Sequence, residues 1–390
     1  MKLSTAALDT VTEATLTRDS EKRHRNSLET LFNEIQDAIF ILDSNREIRF
    51  LNHAARKIFP SEQNYAGRSF LDVCLDHRIV DTLSLAEELG AKASDKVILR
   101  MQGSEKERIR EITLLVEAEP LTFQESENDS GSWLLMRDIT SELETEQIRK
   151  DFIANASHEL RTPLSVISGY LETIDDDDID LSQAAFRRAI STMRKHSDRV
   201  TRIVDDMLTI SKLENSSSLL KLEPFNLKDS AEEMISQLMP LIEANGAKVE
   251  TNSEPDETWL LEGDRYYWDQ IFFNLIENAL KQNRKNGLKI SVDFSNSGGR
   301  HIISITDNGI GIPATDLPLV FKRFYRVQKH HAKTQVKGTG LGLSIVKRAV
   351  EAHGGEISVL SEPGVLTAFT ISVPQSSIKL AANSKQSDSY

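Results

Sequence analysis

His158 is the residue in this chain whose type and surroundings most favour chemistry. Around it, apolar residues recur every three or four positions, which predicts a long amphipathic helix. Because His158 comes two residues before the apolar Leu160, it is rotated by about 200° from that residue and is expected to face solvent. A neutral imidazole is a nucleophile at physiological pH, so His158 could attack an electrophilic phosphorus. Taken alone, an exposed histidine is more often an ordinary surface residue.

The residues that follow His158 in the sequence are suited to assist it. Glu159 could hold the second ring proton and stabilise a developing imidazolium. Thr162 lies four residues on, which places its hydroxyl one turn away on the same helix face. Pro163 removes a backbone donor, and we expect the helix to bend just beyond the site.

A second set of polar residues, in the segment 269–283, is suited to a phosphorylated ligand. Asn274, Asn278 and Lys281 are spaced four and three apart, so they share one face of a predicted helix. An amide oxygen is a suitable ligand for Mg2+, which keeps most of its waters while it bridges phosphates. Without further motifs, a solvated polar face would be the simpler interpretation.

Three more blocks follow at increasing distance along the chain. Asp307 ends a predicted strand, and Gly309 and Gly311 behind it permit close approach of the backbone to a ligand. The block FKRFYRV over 321–327 would, without its context, be a basic surface helix. A glycine-rich segment then opens a helix, where free backbone amides form an anion site. Its residues are Gly338, Thr339, Gly340, Leu341 and Gly342.

The elements that position His158 are two amphipathic helices, predicted from Ser141 onward and joined by residues 175–180. This loop holds five aspartates but no glycine of the kind that a calcium loop requires, so a solvated tip is favoured over a metal site. Two helices cannot bury both apolar stripes by themselves. A homodimer that forms a four-helix bundle is therefore predicted.

The first third of the chain is predicted to be an antiparallel sheet with short helices between its second and third strands. The order of elements resembles a PAS sensory domain. No residue pattern indicates a haem or a flavin, so an apolar core without a cofactor is the favoured interpretation, and the signal stays open. A helix over 20–36 precedes the predicted strands 38–43, 47–52, 96–101, 109–121 and 132–139.

Composition sets outer limits on the function. A length of 390 residues indicates several domains, and a net charge of −13 argues against nucleic acid as a partner. Cys74 is the single cysteine, which excludes an internal disulfide and is expected to be a small buried residue rather than a reactive thiol. No apolar run reaches the ~18 residues of a membrane helix, and acidic residues near the start do not fit a secretory signal. We therefore expect a cytoplasmic protein without membrane insertion.

The run FIANASHELRTPLSVISGYLE over 152–172 resembles the phosphoacceptor box of sensor histidine kinases, and is most similar to the phosphate-regulon branch. The four later blocks resemble, in order and spacing, the GHKL ATPase fold, a mixed sheet layered against helices. The resemblance implies that ATP phosphorylates His158 and that the phosphoryl group passes to an aspartate on a response regulator receiver domain. It also implies phosphatase activity through a water that Thr162 positions.

The resemblance further assigns roles in ATP binding. Asp307 would accept a hydrogen bond from the adenine amino group, Asn278 would bind Mg2+, and Lys281 would lie near the phosphates. Arg326 would reach toward phosphate from a lid that Phe321 and Phe324 anchor. Gln282 departs from the family, whose members usually carry an aromatic residue there.

The fold class that results is a multidomain α+β chain. Three other functions compete with the histidine kinase interpretation. A clamp ATPase of the chaperone or topoisomerase type would lack the phosphoacceptor helix, and a degenerate scaffold would be expected to lose Asn278 or Asp307. A protein that acts chiefly as a phosphatase stays open. The predicted domains are a leader at 1–27, a PAS-like domain at 28–140, a dimerisation and phosphotransfer domain at 141–215, a catalytic ATP-binding domain at 219–375 and a tail at 376–390.

Overall fold

The computed structural model forms two compact units, Met1–Lys150 and Asp151–Tyr390. Residues 1–26 of the predicted leader, the predicted tail and most of the loop 175–180 lie outside the described residues. The structure describes residues 27, 29–60, 65–102, 109–122, 130–176, 182–215, 220–254, 257–282, 287–327 and 338–375.

The first unit opens with a short helix, α1, at residues 29–34, which is the part of the predicted helix 20–36 that is described. The predicted hairpin follows, with β1 at Ala38–Asp43 antiparallel to β2 at Ile48–Leu51. Arg46 takes a φ of 60° in the turn, and the Asp43 carboxylate accepts hydrogen bonds from the backbone of Asn45 and Glu47. These local bonds hold the polar turn in place.

Three short helices separate the hairpin from the remaining strands of this unit, as predicted. Pairing gives one antiparallel sheet in the order β2-β1-β5-β4-β3. The helices are α2 at His53–Ile58, α3 at Phe70–Val73 and α4 at His77–Leu89, and the strands are β3 at Ala93–Gln102, β4 at Ile109–Thr122 and β5 at Ser130–Asp138.

The core of the first unit lies between this sheet and its helices. Phe40 and Phe70 are both fully buried and meet edge to face, with ring centroids 5.2 Å apart. Cys74 is 1% exposed, and burial raises the pKa of its thiol to about 11. The prediction that Cys74 is a small buried residue is confirmed.

The two long helices predicted after the sheet are present. α5 runs over Thr140–Asp175 and α6 over Gln183–Asn215. α5 continues through Pro163, which is buried. The guanidinium of Arg199 on α6 meets the Glu159 carboxylate on α5 at 2.7 Å and so fixes the antiparallel alignment of the two helices.

The rest of the second unit is a five-stranded sheet in the order β11-β12-β10-β9-β7, in which β7 and β9 are parallel and the other pairs antiparallel. The mixed sheet predicted from the four blocks is confirmed. The strands are β7 at Lys248–Asn252, β9 at Lys289–Ser297, β10 at Arg300–Asp307, β11 at Glu356–Glu362 and β12 at Leu366–Pro374, and the helices are α7 at Leu227–Ala244, α8 at Arg265–Gln282 and α9 at Gly342–Ala352.

A separate two-stranded ribbon pairs β6 at Glu223–Asn226 with β8 at Leu260–Gly263. The predicted strand over 219–225 is therefore shorter than expected at its start. Its apolar residues suggest a longer strand, but β8 offers a backbone partner over only four residues. Without such a partner the chain before Glu223 has no ladder to join.

The core of this layered domain is formed by α7, α8 and α9 against one face of the sheet. Trp268 and Phe272 on α8 are fully buried, with ring centroids 5.9 Å apart. The His353 imidazole, at the end of α9, accepts a hydrogen bond from the Asp264 amide at 2.9 Å and contacts the Ala349 carbonyl at 2.7 Å. This side chain therefore ties α9 to the start of α8.

Candidate phosphoacceptor and nucleotide site

His158 lies on the solvent-exposed side of α5, as the helical spacing predicts. The hydroxyl of Thr162 donates to the carbonyl oxygen of His158 at 3.2 Å, so this side chain lies on the same face one turn further along. Both residues are exposed. A bulky phosphoryl donor can therefore approach the imidazole.

Glu159 was predicted to assist the ring of His158, but its carboxylate is engaged elsewhere in this conformation. It pairs with Arg199 across the hairpin, and both side chains are 30% exposed. The pair spans α5 and α6, which local sequence spacing does not reveal. For Glu159 to reach the imidazole, its side chain would have to leave Arg199.

The first and fourth blocks are in direct contact. On α8, Asn274 donates through its amide nitrogen to the Gln270 carbonyl at 2.9 Å, and its amide oxygen lies against Gly342 at the start of α9. A Cβ on Gly342 would lie 2.8 Å from that oxygen. The helix that carries Asn278 is therefore packed on the glycine-rich segment, as a shared ligand site requires.

The third and fourth blocks are also in contact. Gly340 has a φ of 75°, and a Cβ there would lie 2.7 Å from the carbonyl carbon of Phe324. Phe324 itself takes a φ of 60°. The backbone of the third block thus fits against a glycine, which explains why this position has no side chain.

The second block is held by a different set of contacts. Asp307, at the end of β10, is 7% exposed, and its carboxylate accepts a hydrogen bond from the Gly309 amide at 2.9 Å. Gly311 has a φ of 71°, and a Cβ there would lie 2.6 Å from the carbonyl oxygen of Glu362. These contacts shape the loop that the sequence associates with adenine.

The residues predicted to contact the phosphates differ in their burial and in their partners. Lys281 pairs with Glu277 at 2.6 Å on α8, and Asn278 beside them is partly buried. Arg326 of the third block and Gly338 of the glycine-rich segment are both exposed. Lys337 and the rest of the lid lie outside the described residues.

Helix α6 makes polar contacts with this site that the sequence did not predict. The hydroxyl of Thr339, a buried residue of the glycine-rich segment, donates to the Asp206 carboxylate at 2.9 Å and accepts from the Leu341 amide at 3.2 Å. Arg202 contacts Glu277 at 3.4 Å. At the end of α6, Glu214 pairs with Arg323 of the third block.

An apolar cluster surrounds these polar contacts. Its buried members are Ile210 of α6, Leu341 of the glycine-rich segment and Ile345 of α9, against which Phe152, Met207 and Phe324 pack. The rings of Phe152 and Phe324 have centroids 5.7 Å apart. The sequence did carry a weak signal of this face, because Ile203, Asp206, Ile210 and Leu213 are spaced three, four and three apart.

Burial also changes the acidity of Asp206. Desolvation raises the pKa of this carboxyl, and the hydrogen bond from Thr339 opposes the change. The nearby positive charge of Arg202 lowers the pKa, whereas the negative charges of Asp205 and Glu277 raise it. Burial therefore makes this carboxylate costly to keep charged, and the hydrogen bond from Thr339 offsets part of that cost.

Comparison with known proteins assigns the family. Three family models match: "Histidine kinase-, DNA gyrase B-, and HSP90-like ATPase" at residues 263–377, "His Kinase A (phospho-acceptor) domain" at 148–216 and "PAS domain" at 26–89. The chain is also 30% identical to sensor protein kinase WalK of Staphylococcus aureus over 373 residues, which cover 93% of this chain and 84% of that relative. This chain belongs to the sensor histidine kinase family.

Membership of the histidine kinase family explains the three parts of the fold. The antiparallel sheet is a PAS domain, α5 and α6 are the phosphoacceptor helices, and the mixed sheet with its helices is a GHKL domain that uses ATP. Among the described residues, no helix combines the length and the apolar character needed to span a membrane.

Other relatives differ in how much of their length is matched. WalK of Staphylococcus aureus strain Newman is 31% identical over 373 residues, which are 93% of this histidine kinase but 57% of that relative. The histidine kinase AdeS of Acinetobacter baumannii has a solved structure with 25% identity and a TM-score of 0.44, covering 56% of this chain and 98% of that one.

Proposed function

We propose that this chain is an ATP-dependent protein-histidine kinase that phosphorylates His158 and passes the phosphoryl group to an aspartate of a response regulator. One observation carries the proposal. An exposed histidine on α5 lies in the same compact unit as a glycine-rich segment that packs on an amide-bearing helix. The unit therefore contains both a nucleophile and a site suited to a nucleoside triphosphate.

The reaction needs no strong activation of the nucleophile. A ring nitrogen of His158 would attack the γ-phosphorus of ATP, the bond to the bridging oxygen would break, and ADP would leave. The imidazolium formed on attack then loses its remaining acidic proton. In the second step a carboxylate oxygen of the regulator takes the phosphoryl group, which frees His158 for another cycle.

Residues of the four blocks divide the work of binding ATP in this proposal. Asp307 holds the adenine amino group, and Gly309 and Gly311 admit the base. Lys281 and Arg326 face the phosphates together with the amides of the glycine-rich segment, whose residues are Gly338, Thr339, Gly340, Leu341 and Gly342. Asn274 supports this segment through its contact with Gly342.

Mg2+ fits the chemistry of one residue in this site. Asn278 is partly buried, one turn beyond the Asn274 side chain that touches the glycine-rich segment, and its amide oxygen is a suitable hard ligand. The ion would neutralise charge on the phosphates during transfer.

The proposed active form is a homodimer with the domain division predicted from the sequence. Several members of the predicted apolar stripes are more than a third exposed in the single chain, which supports a second copy as their partner. Membership of the phosphate-regulon branch stays a prediction that rests on residues 152–172. The exposed stripe residues are Ile148, Leu164, Leu171, Phe186, Ile190 and Val204.

Radioactive ATP tests the kinase proposal directly. Incubation of the chain with Mg2+ and γ-labelled ATP should give a protein label that acid removes and alkali does not. His158→Ala should abolish the label, whereas His53→Ala, at an exposed histidine of the other unit, should keep it. Undiminished label on His158→Ala would reject His158 as the phosphoacceptor.

A second activity, removal of phosphate from the partner regulator, is favoured by one observation. The Thr162 hydroxyl lies on the exposed face of α5 that carries His158, bound to the carbonyl one turn back. A hydroxyl at that place can orient a water toward an acyl phosphate that docks over the imidazole. The kinase and phosphatase reactions would then share one surface.

A further inference from the structure

Helix α6 contacts three of the four nucleotide blocks at once. Arg202 reaches Glu277 on α8, Asp206 reaches Thr339, and Glu214 reaches Arg323. These three side chains are spaced four and eight residues apart, so they lie along one side of the helix. α6 therefore supplies the polar contacts to the nucleotide blocks, whereas α5 contributes the apolar contact of Phe152 with Phe324.

The Asp206 contact differs in kind from the other two. Arg202 and Glu214 each meet a residue of opposite charge, which is an ordinary ion pair. Asp206 instead places a carboxylate on a segment whose free backbone amides are suited to anions. The hydroxyl that donates to it belongs to Thr339, which the kinase proposal assigns to the phosphates.

Charged side chains of both signs surround Asp206. On α6 its neighbours are Arg202 and Asp205, and from α8 it faces Glu277. Glu277 in turn pairs with both Arg202 and Lys281. The two cations therefore share the single Glu277 carboxylate, and Asp206 places a second carboxylate directly beside the glycine-rich segment.

We propose that Asp206 is a residue of the nucleotide site, where its carboxylate competes with the phosphates of ATP for Thr339 and the glycine-rich segment. This inference rests on the proposed nucleotide site. Contact between α6 and the ATP-binding domain would then oppose nucleotide binding. By linkage, bound triphosphate would weaken that contact by the same factor and release the domain from α6.

The proposed competition has two states, one with the apolar cluster closed and one with α6 moved away from it. Ile210, Leu341 and Ile345 are buried together, so the Thr339–Asp206 bond forms when the cluster is closed. A phosphate group beside Thr339 would face the carboxylate at close range, where like charges repel even at the effective dielectric of a protein surface. The ATP-binding domain would therefore bind the charged phosphates of the nucleotide most readily after α6 has moved away.

Equilibrium binding of nucleotide to the full chain tests the proposal. Asp206→Asn keeps the shape of the side chain and an acceptor for Thr339 but removes the charge. We expect it to tighten binding of Mg2+ with the non-hydrolysable analogue AMPPNP by roughly three- to tenfold, the effect of about one like charge. Binding of Mg-ADP, which carries less charge, should tighten less.

A matched control is the neighbouring residue. Asp205 is exposed on the same helix and makes no hydrogen bond to Thr339, whose partner is Asp206. Asp205→Asn removes an equal charge and should change affinity much less. The gain of Asp206→Asn should also shrink in about 0.5 M salt, because screening shortens the range of the repulsion.

The outcomes separate this proposal from the one it rests on. If the unaltered chain binds nucleotide and Asp206→Asn binds it equally or more weakly, Asp206 is a supporting residue for Thr339 and the competition is refuted. If the unaltered chain binds no nucleotide, both proposals fall. Asp206→Ser is a second variant that should also bind Mg-AMPPNP more tightly than the unaltered chain. Thermal unfolding of each variant establishes that it is folded.

Discussion

At the scale of single residues, Thr162 is the side chain whose removal would separate the two proposed activities. Its hydroxyl is bonded to the His158 carbonyl, so removal of this group leaves the imidazole in place. We expect Thr162→Ala to keep autophosphorylation within about twofold and to slow dephosphorylation of the regulator by roughly a hundredfold, the lower end of general acid–base effects. Both rates are measured with labelled phosphate.

Thr173 provides a matched control for this prediction. It is partly buried on the same helix, and its hydroxyl donates to the carbonyl four residues back, that of Gly169, at 2.8 Å. Thr173→Ala should therefore change the helix equally while it leaves both rates intact. Equal loss of the two activities in Thr162→Ala would contradict a separate role in dephosphorylation.

Residue types and local spacing were sufficient to predict the exposure of His158 and the helix that follows the glycine-rich segment. They were not sufficient for Asp206. Its partner Thr339 is 133 residues away, and in the predicted stripe Asp206 is simply the polar neighbour of Met207. The pairing of Glu159 with Arg199 was missed for the same reason, since Arg199 lies on the other helix. Periodicity describes one element at a time, whereas these contacts join two.

At the scale of elements, the attachment of α9 to α8 depends on a neutral histidine. His353 accepts from the Asp264 amide through one ring nitrogen and donates to the Ala349 carbonyl through the other. Burial lowers the pKa of this imidazole, and the contact with the Ala349 carbonyl opposes part of that change. Burial also lowers the pKa of His301, which bonds to the Leu260 carbonyl.

Acid should therefore destabilise the ATP-binding domain. The folded state binds these protons less readily than the unfolded chain, so the stability that neutral imidazoles contribute is present above the ordinary histidine pKa near 6.5 and is lost as the pH falls below it. We expect the free energy of unfolding in urea to be lower at pH 5.5 than at pH 7.5.

Substitution of one histidine identifies the source of that dependence. His353→Gln should lower stability at pH 7.5 by about 1–2 kcal/mol, because a partly buried hydrogen bond is lost, and should reduce the difference between the two pH values. His158→Ala, at an exposed histidine, should leave the difference unchanged. A pH dependence that His353→Gln does not alter would refute the assignment to His353.

Strand and helix boundaries followed from the sequence where each element carries its own pattern. The predicted strand 302–305 is only the centre of β10, which extends two residues further at each end. α5 and α6 have long periodic stripes, so these helices were placed well. β6 was not, because its length is set by the four residues of β8 that pair with it. In a ribbon of two short strands, the length of each strand is limited by the residues of its partner that can pair with it.

At the scale of the whole molecule, the exposed apolar residues of α5 and α6 predict how chains associate. Ile190 is 45% exposed near the start of α6, where the predicted stripe of the four-helix bundle passes. Ile190→Glu would bury a charge in that bundle, at a cost of several kcal/mol. We expect a dimer for the unaltered chain and a monomer for this variant, as measured by light scattering.

An exposed apolar residue outside the phosphoacceptor helices serves as the control. Leu360 on β11 is 66% exposed, and Leu360→Glu should remain dimeric. If Ile190→Glu were as dimeric as the unaltered chain, the stripe would not be the dimer surface. If both variants became monomeric, the surface would extend beyond the helices.

The buried Cys74 makes the protein unusually convenient to label. It is the one cysteine of the chain, and a thiol with a pKa of about 11 holds almost no thiolate near pH 7. Maleimide dyes should therefore react with an introduced cysteine and leave Cys74 alone. A donor and an acceptor attached at exposed Thr201 on α6 and exposed Lys347 on α9 would report, by energy transfer, the moment at which ATP parts the two helices.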